Sequence, residues 1–173
     1  MDRESELRRL EAFLRLRLSG TKTFVLIYGL RRVGKSSVVD KFLESKIGFR
    51  VDCSSMVSGG DLFCGVYSAV SELGVGSRVL DRYRGLYERP LDDDFKMLEF
   101  TFRLLDDVAR EAEYLVVAFD ELHGFIENFS RLRGERQDVA RARLLWKLRD
   151  LFQRASENIF IIAVTSAGFL FEE

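Results

Sequence analysis

Apolar positions along this chain follow two alternating periods, one helical and one of short continuous runs. Leu7, Leu10, Leu14 and Leu18 recur at spacings of three and four, which predicts an amphipathic helix over residues 2–18, ended by Ser19-Gly20. Thr23 to Tyr28 has strand composition, and a glycine-containing turn and a helix to about residue 45 follow it. Ile47 to Cys53 reads as a second strand, and Ser54 to Asp61 as a polar loop. Leu62, Val66, Ala69, Val70 and Leu73 then mark one side of a helix over about 61–73. A short helix is predicted around 77–87, with a break at Pro90, the sole proline. Asp92-Asp93-Asp94 offers N-cap oxygens to a helix over about 94–112, whose core stripe is Phe95, Leu98, Phe102, Leu105 and Ala109. Tyr114 to Phe119 is almost wholly apolar, as in a strand buried on both faces. A helix or loop runs through Phe129, a polar stretch spans Arg131 to Glu135, and a long helix covers about 135–156. Ile159 to Val164 is the last strand, leading into Thr165-Ser166-Ala167-Gly168.

Strands alternating with helices imply a parallel sheet covered on both faces, an α/β three-layer arrangement. With 173 residues and no repeat, low-complexity tract or linker, the chain reads as a single domain over 1–173. Within it, residues 1–20 form an N-terminal helix. Residues 54–112 form a helical segment between the second and third strands.

The turn after the first strand carries the chemistry. Gly29 to Ser36 reads Gly-Leu-Arg-Arg-Val-Gly-Lys-Ser, the pattern of a phosphate-binding loop, set between a strand and a helix as the mechanism requires. Phosphate needs backbone N–H donors and a helix N-terminus, and this geometry supplies both. Gly29 and Gly34 let the backbone approach closely, with Leu30, Arg31, Arg32, Val33 and Ser37 completing the loop and its exit. Lys35 reaches the β- and γ-phosphates as a point charge, and the Ser36 hydroxyl ligates Mg²⁺. For Arg31 and Arg32, loop solvation explains the residues as well as phosphate contact does.

A second acidic motif completes the pair. Asp120-Glu121 closes the Tyr114–Phe119 strand. There Asp120 holds Mg²⁺ and Glu121 orients and deprotonates an attacking water. An acidic residue directly after the metal carboxylate favours hydrolysis over transfer to an acceptor hydroxyl. Thr165 and Ser166 fall where a polar side chain touches a γ-phosphate or positions the water; turn chemistry alone also places Ser and Thr at a strand end.

Composition narrows the partners. Basic residues number 27 and acidic residues 28, a net charge of −1, which gives no general reason to expect nucleic acid or an acidic membrane. Charged residues at 32%, with Arg well above Lys, lean towards a thermophilic source or a biased base composition. Cys53 and Cys64 have no C-x-x-C spacing, the usage of a reduced, cytoplasmic protein. His123 is the only histidine, which excludes a histidine-rich metal site; it reads as a polar residue at a helix start, with a relay between Glu121 and the nucleotide as the alternative. No apolar stretch reaches membrane-span length, and the N-terminus is charged rather than signal-like. Trp146 and the many Phe residues read as core.

The motifs together resemble the archaeal-type P-loop ATPases, of the additional-strand catalytic-glutamate division near the AAA+ and origin-recognition ATPases. Arg3-Glu4-Ser5-Glu6-Leu7-Arg8-Arg9-Leu10 resembles the family's N-terminal R-E-x-E-L-x-x-L box near the adenine. Tyr28 to Ser37 resembles its G-P-R-R-[VT]-G-K-[TS]-S loop, with Leu30 in place of the usual Pro. Phe119-Asp120-Glu121-Leu122-His123 resembles its D-E-[FIL]-[QH] Walker B segment, and Ile161 to Ser166 its sensor-1 strand. The resemblance implies a three-layer P-loop NTPase with strand order 1-4-3-2. The fifth strand, the lid and the C-terminal DNA or effector domain are expected to be missing from a chain truncated after the sensor strand. It also implies ATP and Mg²⁺ as ligands, a conformational switch driven by hydrolysis, weak turnover in this fragment, and a homo-oligomeric or protein partner. An arginine finger would fall at Arg149 or Arg154, on a helix whose many arginines also read as a solvated face. The alternatives are a non-hydrolysing nucleotide-dependent binding switch for protein or DNA, and a small-molecule phosphotransferase.

Overall fold

Among the described residues each strand ends at the same edge of one sheet, and that edge is where the polar motifs lie. The structure is a computed structural model that describes residues 3–30, 32–133 and 136–166. In chain order the elements are α1 (Glu4–Leu18), β1 (Val25–Tyr28), α2 (Lys35–Leu43), β2 (Gly48–Asp52), α3 (Gly59–Leu73) and α4 (Ser77–Glu88). There follow α5 (Asp94–Glu111), β3 (Leu115–Asp120), α6 (Leu122–Arg131), α7 (Gln137–Arg154) and β4 (Ile159–Thr165). Among the described residues the four strands are all parallel, in the order β1-β4-β3-β2. This is the three-layer α/β architecture with the strand order that the motifs implied.

Alternation along the buried strands divides the core in two. Leu115, Val117 and Phe119 of β3, with Ile159, Ile161 and Ala163 of β4, face a large layer built from α3, α5, α6 and α7. Val116 and Ala118, with Phe160, Ile162 and Val164, face a smaller layer built from α1 and α2, including Leu10, Leu14, Val38, Val39 and Phe42. Asp120 keeps the parity of Val116 and Ala118, so β3 delivers its terminal carboxylate to the α2 side of the sheet. Thr165 keeps the parity of Ile161 and Ala163 and faces α6.

Local chemistry sets the element ends. Ser58 caps α3 in a capping box: its hydroxyl accepts from the Asp61 N–H, and the Asp61 carboxylate accepts from the Ser58 N–H. Asp93 caps α5 by accepting from the Lys96 N–H at 3.0 Å. At Gly59 a Cβ would come within 2.1 Å of the Asp94 carbonyl oxygen, so glycine is what lets the starts of α3 and α5 meet. Arg17 of α1 is buried and donates to the carbonyls of Ala155, Ser156 and Ile159, satisfying backbone acceptors between α7 and β4. Trp146 departs from expectation. It is 68% exposed on the outer face of α7, because the inward positions of that helix are taken by Ala140, Leu144, Leu148 and Leu151.

Candidate nucleotide-binding site

The loop after β1 is held in backbone conformations that disfavour side chains. Gly29 has φ +150°, Gly34 φ +84°, and Arg32 adopts φ +62° despite its Cβ. Gly34 is the N-cap of α2, and no side chain caps it, so the first-turn N–H groups face the loop without a protein partner supplied by the cap. The Lys35 ammonium turns back over this loop and donates to the carbonyls of Gly29 at 2.9 Å and Leu30 at 2.8 Å. Ser36 is half-buried in the first turn; Leu30, Val33 and Ser37 are exposed. The Arg3 guanidinium, from the N-terminal box, lies over the loop and donates to the Val33 carbonyl. Arg31 lies outside the described residues.

Parallel pairing brings the other motifs to the same edge. Tyr28, the last residue of β1, is in register with Thr165, the last of β4. Phe119, one short of Asp120, is in register with Ala163. The carboxyl ends of β1, β4 and β3 therefore adjoin, as in open parallel sheets that bind ligands outside those ends.

Asp120 is buried, and both its oxygens are engaged. Oδ1 accepts from the Glu121 N–H at 3.0 Å, and Oδ2 accepts from Arg50 Nη1 at 2.9 Å. Arg50 also donates to Asp40 of α2, through Nε at 2.6 Å and Nη2 at 3.3 Å. Hydrogen bonding to Asp40, and the two neighbouring carboxylates, hold the Arg50 guanidinium above its already high range. Arg50 belongs to no motif. Its only signal in the sequence was a charged residue between Phe49 and Val51 in a strand otherwise built for a core.

Glu121 sits at the junction of β3 and α6 with φ +50°, left-handed for a residue with a Cβ. Its Oε2 lies 3.1 Å from His123 Nδ1 and accepts from the Ser166 hydroxyl at 3.2 Å. His123, itself buried, is also 3.1 Å from Thr165 Oγ1 through Nδ1 and 3.2 Å from Ser166 Oγ through Nε2. An ionised carboxylate only accepts, which assigns the proton on Nδ1 to the side facing Glu121. His123 thus joins the acid motif to the end of β4, a role the sequence did not assign it.

The two arginines placed for a finger lie on α7. Arg149 lies 5.5 Å from the Trp146 ring, and Arg154 pairs with Asp150 at 2.8 Å. Neither contact involves the loop. Among the described residues, no group of three or more His, Cys, Asp or Glu gathers around a point, and no helix is long and apolar enough to cross a membrane.

No protein-family model and no curated protein matches the sequence. Solved structures match the fold. The Walker-type ATPase paby2304 of Pyrococcus abyssi aligns with TM-score 0.60 and 26% identity, over 95% of this chain and 45% of that one. The Aeropyrum pernix ORC1 protein, solved in complex with DNA, gives TM-score 0.60 and 22% identity, over 98% of this chain and 40% of its own. Cdc6p from Pyrobaculum aerophilum gives TM-score 0.51 and 13% identity, over 97% and 40%. The chain spans less than half the length of each of these structures. Its architecture is that of the P-loop part of archaeal Walker-type ATPases and the ORC1/Cdc6 proteins, as the motifs implied.

Proposed function

We propose that this chain is an Mg²⁺-dependent ATP-binding and hydrolysing module whose nucleotide state drives a conformational switch. The observation that carries the reading is convergence. The glycine loop, Asp120-Glu121 and Thr165-Ser166 end three adjoining parallel strands, so donors for a polyphosphate and carboxylates for a cation and a water lie at one edge.

The residues fit these ligands. Gly29 has open space where a Cβ would stand, and the first-turn amides of α2 lack a side-chain cap, a cradle suited to phosphate oxygens. Asp120 is a buried carboxylate already matched to a cation, and Ser36 supplies a hydroxyl from the first turn of α2. When bound, Mg²⁺ offsets phosphate charge and activates the γ-phosphoryl group.

In this reading Lys35 exchanges the loop carbonyls for β- and γ-phosphate oxygens. Gly29, Leu30, Arg32, Val33, Gly34 and Ser37 line the phosphate path. Glu121 accepts a proton from a water that attacks the γ-phosphorus; the bond to the ADP oxygen breaks, and inorganic phosphate and ADP leave. Ser166 and Thr165 report the state of that site to β4. The module is the single unit over residues 1–173, with α1 as its N-terminal helix and residues 54–112 covering the sheet between the second and third strands. Protein, homo-oligomeric or DNA partners extend the proposal; the ORC1 neighbour was solved on DNA.

Calorimetric titration with Mg²⁺ and ATP, run beside phosphate release, separates the roles. Lys35→Ala is expected to weaken binding by about 10²-fold or more. Glu121→Gln is expected to bind as the wild type does while release falls by roughly 10²-fold. Equal hydrolysis by Glu121→Gln removes Glu121 from the mechanism. Binding without turnover in the wild type leaves a nucleotide-dependent switch that does not hydrolyse.

A further inference from the structure

We infer that Arg50 is the resident counter-cation of the metal-site carboxylate, holding Asp120 while no divalent ion is bound and keeping only its fork to Asp40 when one arrives. The inference rests on the proposed role of Asp120.

The register of the sheet creates the contact. Arg50 is paired with Ala118, and Asp120 lies two residues further along β3 on the same face, a diagonal that a long side chain spans. Ala118 is small, and Arg50 crosses it to reach Oδ2 of Asp120 at 2.9 Å. Side-chain exposure falls along this path, from 52% at Asp40 to 32% at Arg50 and 6% at Asp120. A charged carboxylate at that depth without a cation beside it is strongly disfavoured.

The hydrogen bonds are divided unequally. Asp40 takes two, from Nε and Nη2, in a fork, and Asp120 takes one, from Nη1. Releasing Asp120 therefore breaks one bond of three and leaves the guanidinium still neutralised. A fixed strut would place its strong pairing on the buried partner; here it is on the exposed one. The arrangement makes Arg50 a competitor that a hydrated divalent ion displaces from Oδ2, coupling occupation of the metal site to a movement of the β2 side chain against α2.

Mn²⁺, titrated into the full chain with a non-hydrolysable ATP analogue and followed by loss of the free-ion electron paramagnetic resonance signal, tests this. Arg50→Gln is expected to bind Mn²⁺ roughly tenfold more tightly than the wild type, because the competing charge is gone. It is also expected to melt at lower temperature without metal and to recover most of that loss when Mn²⁺ saturates. Arg50→Lys, which keeps the charge and loses the fork, should fall between the two and carries the comparison if Arg50→Gln does not fold. Lys41→Gln removes a positive charge paired with Glu44 on the same helix as Asp40 and should leave the midpoint within about twofold. An unshifted or weaker midpoint in Arg50→Gln, or a Lys41→Gln shift as large, overturns the inference and leaves the ATP-binding reading standing. A wild type that shows no nucleotide-dependent Mn²⁺ binding overturns both.

Discussion

Glu121 and His123 show how one residue's conformation organises a site. The left-handed backbone at Glu121 stops β3 and starts α6 within a single residue, so two neighbouring carboxylates point to different partners. Asp120 stays with the α2 face, and Glu121 turns to His123 and Ser166. His123 does this by donating a hydrogen bond towards Glu121. A glutamine amide supplies that donor from a side chain of similar reach. His123→Gln is therefore expected to keep phosphate release within about threefold, and His123→Leu to lose roughly 10²-fold with nucleotide affinity unchanged. Phosphate release and calorimetry on the same preparations check this. Equal losses for both substitutions, or parallel losses of binding, contradict a positioning role.

At the scale of elements, the helices between β2 and β3 form a packed unit bound by aromatic and polar contacts. Tyr67 stacks on Tyr87 at 4.3 Å, and the Tyr83 hydroxyl of α4 donates to Asp107 of α5 at 2.9 Å. Burial, and then that hydrogen bond, push the Tyr83 phenol from its ordinary 10.0 up to about 12. The unfolded chain gives up this proton near its ordinary value, whereas the native chain keeps it. The stabilisation is thus complete below about pH 10 and is lost as pH rises through 12. Tyr83→Phe is expected to lower stability by about 1 kcal/mol at pH 8, a difference that shrinks between pH 10 and 12 in denaturant unfolding series. A difference independent of pH contradicts the link.

The sequence made most element ends legible because their chemistry is local. The aspartates before α5 and the Ser-Gly after α1 are a cap and a stop that act within a few residues. The turn from β3 into α6 was ambiguous, since nothing in composition signals a glutamate at positive φ. Trp146 reads as core on residue type, yet the helical phase of α7 has its inward stripe filled by other residues. Apolar character suggests burial; phase decides it.

On the scale of the molecule, a parallel sheet turns sequence distance into proximity. Residues around 30, 120 and 165 come to one edge of the sheet because β1, β4 and β3 lie side by side and run the same way. The glycine loop and the acid pair were readable since each is a compact motif with its own flanks. Arg50 was not, because its contact with Asp120 depends on the β2–β3 register, a relation between two segments that neither encodes alone. The same holds for the His123–Thr165 contact across α6 and β4. Motifs report groups that act on a ligand directly; groups that hold those residues in place emerge only with the topology.

The most direct test of a polyphosphate site in the bend after β1 is hydrogen–deuterium exchange with and without Mg²⁺ and a non-hydrolysable ATP analogue. Amides from Gly29 to Ser37 and around Asp120 to His123 are expected to slow markedly on adding the ligand, while α4 and the outer face of α7 exchange unchanged. No slowing in the Gly29–Ser37 segment under saturating nucleotide, or protection centred on another part of the molecule, contradicts the central claim.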